Sequence, residues 1–311
     1  LEGLRHVIDI RQFKEPEDLE KLMRLSEEME SGFRSGALGQ PMTGKVLAAL
    51  FYEPSTRTKF SFESAMLRLG GRTIGTESAA QFSSAAKGES LPDTIRIIGR
   101  YADVIVIRHP EEGSAKLAAE YSPVPVINAG DGTGQHPTQT LLDAYTIRKE
   151  LGRLDDFSIA MVGDLKNGRT VHSLACLLAH RKNVRMLFIS PESLKMKEEI
   201  KEYLKGKGVA FSETSDLDGA IGGIDVLYVT RVQKERFASL EDYDKIRGCY
   251  IITNEIANRM KGTAIIMHPL PRVDEIAPDV DSNPRAAYFR QAENGLYVRM
   301  ALLKTVLGGE A

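Results

Sequence analysis

What most restricts the fold of this chain is an alternation that runs from end to end. Short apolar runs are separated by longer segments of helical spacing. Lys45–Phe51, Asp103–Ile107 and Val124–Ile127 are such runs in the first half. Phe157–Val162, Val184–Ile189, Ile224–Val229 and Ala264–Met267 follow in the second. Runs this short and this apolar suit strands buried on both faces. The segments between them carry helix signals: Pro16-Glu17-Asp18 opens a polar helix that should end near Ser31-Gly32, and further helices are expected at about Thr56–Leu69 and Thr170–Ala179. Strand, helix, strand in repetition predicts parallel pairing, because parallel neighbours need a crossover connection. At 311 residues the chain exceeds one small domain. The expectation is two α/β domains, each a mostly parallel sheet flanked by helices, over 1–147 and 148–284 with a break near Lys149–Arg153. The final stretch has helical spacing from Asn283 to Leu307, and 285–311 is assigned as a C-terminal helix returning to the first domain.

Charge narrows the function. Lys and Arg number 41 against 43 Asp and Glu, a net charge of −2. A general nucleic-acid or anionic-membrane binder carries a basic excess, so no nucleic acid and no membrane partner is expected. Any anion site must be local. Two cysteines, Cys176 and Cys249, supply neither a disulfide framework nor a four-thiolate zinc site. No apolar run reaches the ~20 residues that span a bilayer. Leu1–Phe13 carries Glu2, Arg5, His6, Asp9 and Arg11, with no secretory apolar core, and a cytoplasmic location is expected.

In open parallel sheets ligands sit beyond the carboxyl ends of the strands, so the loops there carry the chemistry. After the first strand come Glu53-Pro54-Ser55-Thr56-Arg57-Thr58. Pro54 stops the strand, and Ser55 or Thr56 can cap a helix whose free N–H groups and positive dipole end suit phosphate. Arg57 adds a two-pronged guanidinium. An ordinary capped helix with a solvated arginine presents the same residues. Arg108 ends the next strand and can point into the crevice or pair on the surface. In Asn128–Gln139, His136 and Gln139 share a face if Pro137 starts a helix. A histidine and an amide together can grip a carbonyl oxygen and an adjacent amino group.

In the second half, Gly163–Ser173 lacks the G-x-G-x-x-G of a dinucleotide loop, and Arg169 at a helix opening can receive a carboxylate. Arg231 and Gln233 alternate along Thr230–Arg236 and project to one side of an extended loop. His268-Pro269-Leu270-Pro271 reads as a rigid turn, and Ser78–Glu89 as a small, polar, mobile loop.

Taken together and in this order, the segments Phe51–Phe62, Lys87-Gly88-Glu89, Arg108-His109-Pro110, Asn128–Thr140, Met161–Ser173, Thr230–Arg236 and His268–Ile276 resemble the carbamoyltransferases, the family that contains aspartate and ornithine transcarbamoylases. The resemblance covers nearly the whole chain. It implies that Ser55, Thr56, Arg57 and Thr58 bind the phosphate of carbamoyl phosphate, that His136 polarises the carbamoyl carbonyl with Thr58 and Arg108, and that Gln139 holds the carbamoyl nitrogen. Carbonyls of Leu270 and Pro271, across a cis bond, would accept from substrate nitrogen. Arg169 and Arg231, with Gln233 beside the latter, would bind the two carboxylates of L-aspartate, and Glu53 and Arg236 would tie active-site arginines together across the domains. Ser83 and Lys87 would reach the site of a neighbouring subunit, which implies a homotrimer, and Lys87 would serve both the phosphate and the aspartate side. A separate regulatory chain is left open.

Pro269 stands where ornithine enzymes carry a cysteine, and their Ser-Met-Gly loop is absent from Val229–Arg236. Aspartate is therefore the expected acceptor, giving N-carbamoyl-L-aspartate and phosphate in pyrimidine biosynthesis, with neither metal nor cofactor. An ornithine-type acceptor and a catalytically silent scaffold are the alternatives.

Overall fold

Each apolar run named above becomes a strand, and each crossover carries a helix. The structure, a computed structural model, describes residues 1, 3–77, 88–233, 239, 241, 243 and 246–308. Two compact units result: Leu1–Leu142 with Glu293–Ala311, and Asp143–Ala292.

The first unit contains α1 (Pro16–Ser35), β1 (Val46–Phe51), α2 (Thr56–Arg68), β2 (Arg72–Glu77), α3 (Leu91–Ile98), β3 (Val104–His109), α4 (Ser114–Tyr121), β4 (Val126–Asp131) and the start of α5 (Pro137–Leu151). Its four strands are all parallel, in the order β2-β1-β3-β4. Period-two alternation sorts the side chains. Ala48, Leu50 and Tyr52 of the first strand and its end face Ile105 and Ile107, under Ile95 of α3 and Ala115 and Ala118 of α4. Burying each large aliphatic side chain of this kind contributes roughly 1.5–3 kcal/mol. Leu47, Ala49 and Phe51 point the other way and are equally buried.

Two features depart from the sequence reading. Helix α1 runs past Gly32 to Ser35, because the left-handed stop is Gly36 at φ 73°. Strand β2 was not anticipated: Arg-Thr-Ile-Gly-Thr-Glu has no apolar run, since it lies at the sheet edge and pairs only with β1.

The second unit contains β5 (Ser158–Val162), α6 (Arg169–Leu178), β6 (Arg185–Ile189), α7 (Glu198–Gly206), β7 (Phe211–Thr214), α8 (Leu217–Ala220), β8 (Val226–Val229), α9 (Asn254–Arg259) and β9 (Ile265–Met267). The C-terminal helix α10 (Tyr288–Leu307) begins in it and continues in the first unit. The five strands are parallel, in the order β7-β6-β5-β8-β9. Ala160, Val162, Leu227, Val229 and Ile266 pack with Ala257, Met260 and Tyr288. Strand β7 escaped the sequence reading for the same reason as β2: it is a short edge strand with exposed Ser212 and Glu213. Among the described residues no helix is long and apolar enough to cross a membrane.

In both sheets the chain order reverses next to the first strand laid down. The reversal lies between β1 and β3 in one unit and between β5 and β8 in the other. Successive crossovers leave such a pair in opposite directions, so a crevice opens beyond its carboxyl ends.

Gly163 makes one of these ends possible. It has φ 112°, and a Cβ there would stand 2.3 Å from the Thr230 carbonyl oxygen. Gly163→Ala is expected to cost about 2 kcal/mol or more. Thermal unfolding should then show a midpoint lowered by about 4–8 °C. An unchanged midpoint would contradict the close approach.

Candidate active site

In the first unit the residues of interest collect at the β1/β3 reversal and on the neighbouring β4. Phe51 pairs with Arg108, and the Tyr52 N–H donates to the Arg108 carbonyl at 2.8 Å. The loop after β1 and the end of β3 are thus adjacent. Helix α2 starts at Thr56, as expected, with Ser55 at its N-cap. The Ser55 hydroxyl makes no cap hydrogen bond. A helix start without its side-chain cap keeps N–H donors available for an anion. Thr58 is buried, whereas Thr56 and Arg57 are exposed on the first turn. Partial desolvation lowers the Arg57 pKa from its ordinary value. A guanidinium nevertheless stays charged at neutral pH.

Arg108 is the penultimate residue of β3, at a register shift between Ile107 and His109. Such irregularities re-aim side chains. Its guanidinium donates to the Ala129 carbonyl at 3.1 Å and pairs with Glu53 at 3.3 Å. Glu53, expected to act across the domains, is engaged here within the first unit.

Strand β4 continues through Asp131, so Asn128 and Ala129, read as loop from the sequence, are strand residues. The following turn is tied by Asp131, whose carboxylate accepts from Gly113 N–H at 3.1 Å and Gln135 N–H at 2.7 Å. Gly132, at φ 54°, is obligatory there: a Cβ would meet the Pro110 oxygen at 2.1 Å. Pro137 is the first residue of α5, as predicted. His136 precedes it and is buried, with Nδ1 3.3 Å from the Thr138 hydroxyl, and Gln139 is half-buried. His109 accepts from Glu111 N–H at 3.1 Å and lies 2.8 Å from the Ser114 hydroxyl. It braces the turn.

The second unit has a matching arrangement at β5/β8. Val162 pairs with Val229, and the Thr230 N–H and hydroxyl both bond the Val162 carbonyl, at 2.8 and 2.9 Å. Arg169 is the first residue of α6, behind Gly168, which has no side chain to cap the helix. His172 is bonded to the Leu165 carbonyl at 2.7 Å, and burial lowers its pKa. It pins the turn that presents Arg169. Arg231 and Gln233 follow β8 as half-buried residues outside any helix or strand.

Asp164 organises both loops. Fully buried, it accepts from Asn167 N–H at 3.0 Å and more weakly from Gln233 N–H at 3.5 Å. The sequence reading missed it. The Asp-x-x-Asn spacing after a strand, an Asx-turn signal, could have found it.

Next to β8, strand β9 ends in the His268–Pro271 turn. The Leu270–Pro271 bond is cis, as expected. Arg272, close by, is held by Asp281 and lies over the Tyr288 ring. Ser83, Lys87 and Arg236 lie outside the described residues.

Chemically, the first unit offers phosphate donors at the α2 start and donors for a carbonyl oxygen from Arg108 and His136. The second offers two guanidinium groups suited to carboxylates. Among the described residues no cluster of three or more His, Cys, Asp or Glu side chains could hold a metal ion.

Comparison with known proteins agrees with this division of labour. Residues 5–149 match the aspartate/ornithine carbamoyltransferase carbamoyl-P binding domain, and 155–306 match the Asp/Orn binding domain of the same family. A relative, aspartate carbamoyltransferase 3, chloroplastic, of Pisum sativum, is 54% identical over 98% of this chain and 78% of its own. The catalytic subunit of M. jannaschii aspartate transcarbamoylase superposes with a TM-score of 0.91 at 52% identity, covering 98% of both chains. Aspartate transcarbamoylase from Trypanosoma cruzi, solved in complex with carbamoyl phosphate and aspartate, gives a TM-score of 0.91 at 40% identity over 97% of each chain. Two matched domains in sequence order, and identity above half across almost every residue, place the chain in the aspartate/ornithine carbamoyltransferase family.

Proposed function

We propose that this protein is an aspartate carbamoyltransferase: it transfers the carbamoyl group of carbamoyl phosphate to the amine of L-aspartate, releasing N-carbamoyl-L-aspartate and phosphate, the entry to pyrimidine rings. The observation that carries the reading is the pairing of each sheet reversal with the cations its substrate needs. Ser55, Thr56, Arg57, Thr58, Arg108, His136 and Gln139 gather around β1, β3 and β4, and Arg169, Arg231 and Gln233 around β5 and β8. Two guanidinium groups match two carboxylates, whereas ornithine would present a side-chain ammonium to them. The T. cruzi relative, solved with carbamoyl phosphate and aspartate, supports the same substrate pair.

In the reaction the neutral aspartate amine attacks the carbamoyl carbon. Thr58, Arg108 and His136 stabilise the oxyanion of the tetrahedral intermediate. The C–O bond to phosphate then breaks, Arg57 and Lys87 receive the departing charge, and the phosphate takes the amine proton. Carbonyls of Leu270 and Pro271 accept from substrate nitrogen. No covalent enzyme intermediate forms, so the acceleration comes from positioning and electrostatics.

Assembly as a homotrimer, with Ser83 and Lys87 completing a neighbour's site, belongs to the same proposal. Exposed Phe60 and Leu67 on α2 and exposed Ile74 on β2 support it, because large apolar side chains beside a sheet edge suit a partner subunit. A reducing compartment such as the cytoplasm is supported by two unbridged thiols, Cys176 and Cys249. A regulatory chain would be a separate polypeptide.

Three measurements test these points. Side by side with carbamoyl phosphate, aspartate should turn over and ornithine should not; ornithine turnover alone would reject the assignment. Arg231→Ala should raise the KM for aspartate on the order of 100-fold, with little effect on that for carbamoyl phosphate. The reverse pattern would mean that the two pockets are interchanged. Subunits carrying Arg57→Ala, mixed with subunits carrying Lys87→Ala, should regain on the order of a quarter of native activity, because that share of ordered neighbour pairs unites both intact residues. Hybrids that form yet stay inactive would exclude a shared site.

A further inference from the structure

His268 sits at the end of β9, buried, with both ring nitrogens engaged. Its Nδ1 accepts the Leu270 N–H at 2.7 Å, and its Nε2 lies 2.7 Å from Glu275 Oε1. An Nδ1 that accepts carries no proton, so the ring is the neutral tautomer donating from Nε2, as this hydrogen-bond network assigns it. The other Glu275 oxygen accepts the N–H groups of Val273 at 3.1 Å and Asp274 at 3.2 Å. Burial works to raise the Glu275 pKa, but the bonds from His268 and the backbone prevail and hold it below its ordinary value.

The network continues inward. The His268 N–H donates to Gln291 Oε1 at 2.8 Å, and Gln291 Nε2 donates to Asp143 Oδ1 at 2.7 Å. The second Asp143 oxygen accepts the Tyr228 hydroxyl at 2.7 Å. His268, Glu275, Gln291, Asp143 and Tyr228 are all buried. A fully satisfied buried network of this kind is stiff. Its outer end is Leu270, which has φ 53°, a left-handed backbone that a leucine adopts only when its surroundings impose it.

We propose that His268 is a positioning residue for carbamoyl transfer. Its Nδ1 holds the Leu270 N–H, and thereby aims the Leu270–Pro271 carbonyls at the reacting nitrogen. This rests on the substrate role given to that turn above. Touching no substrate, His268 acts through Leu270 alone.

Two substitutions separate its bonds. His268→Asn places an amide oxygen near the Nδ1 position and keeps the acceptor for Leu270. His268→Gln reaches Glu275 and loses that acceptor. In the full-length enzyme, His268→Gln should lower kcat about 10–100-fold with the aspartate KM changed less than about 3-fold, because misplacing a reacting group costs rate rather than ground-state affinity. His268→Asn should stay within about 3-fold of native kcat. Unfolding midpoints measured alongside separate this from stability alone, since both variants lose one buried bond. Equal kcat in the two folded variants, or a loss confined to KM, overturns the proposal. If neither variant folds, 15N-histidine spectra of the native enzyme decide. With the His268 signal assigned through its Met267 neighbour, the one Met-His pair in the sequence, its Nδ1 should be unprotonated and its Nε2 protonated. A protonated Nδ1 overturns the assignment. Absence of turnover in the native enzyme would instead overturn the functional reading, so the two failures are distinct.

Discussion

Parallel pairing of β1 with β3, and of β5 with β8, is the constraint on which the rest depends. Both pairs sit where strand order reverses, and both end in hydrogen bonds that lock two loops together. Tyr52 N–H bonds Arg108 in one unit, and Thr230 bonds Val162 twice in the other. Parallel strands deliver all their carboxyl ends to one edge, and departing helices open a crevice there. Residues far apart in sequence, such as Arg57, Arg108 and His136, thus arrive at or just beyond the ends of neighbouring strands.

Glycine and aspartate make those ends fit. Gly163 and Gly132 permit backbone approaches that any Cβ would block, and Asp164 and Asp131 tie the loops that follow. Backbone N–H donors satisfy the oxygens of these buried carboxylates. Polar groups therefore do two jobs around each crevice. The proposed function gives the arginines and hydroxyls to ligands, while Asp131, Asp164, His172 and His268 bond the backbone of the loops. A net charge of −2 is compatible with this, because a local anion site needs only a few placed cations.

Legibility followed burial. Strands buried on both faces need continuous apolar runs, so β1, β3, β5, β6 and β8, and the buried edge strands β4 and β9, were plain. Edge strands β2 and β7 are partly exposed and were invisible to the same test. Helix α1 outran its expected end because an interior Gly32 resembles a stop, whereas the stop depends on a left-handed φ that composition does not reveal. In the loops, residue type and position alone suggested the roles that the proposed function gives to Arg57, Arg169 and Arg231. The supports Asp164 and Glu275 were not, because an acidic side chain in a loop reads as solvated until its burial is known.

By itself, then, the amino-acid order determined a chain of strand-helix-strand units, the helix start at Pro137, the placement of arginines after strands and, through its motifs, the family. Those are local matters: apolar periodicity, proline's fixed φ and the chemistry of single side chains. Only the tertiary structure decided which strands are neighbours, that Glu53 pairs with Arg108, that Asp164 spans two loops and that His268 connects a buried polar chain to Leu270. Each of these joins residues through parallel pairing or burial, and neither is written in the spacing of residues along the chain.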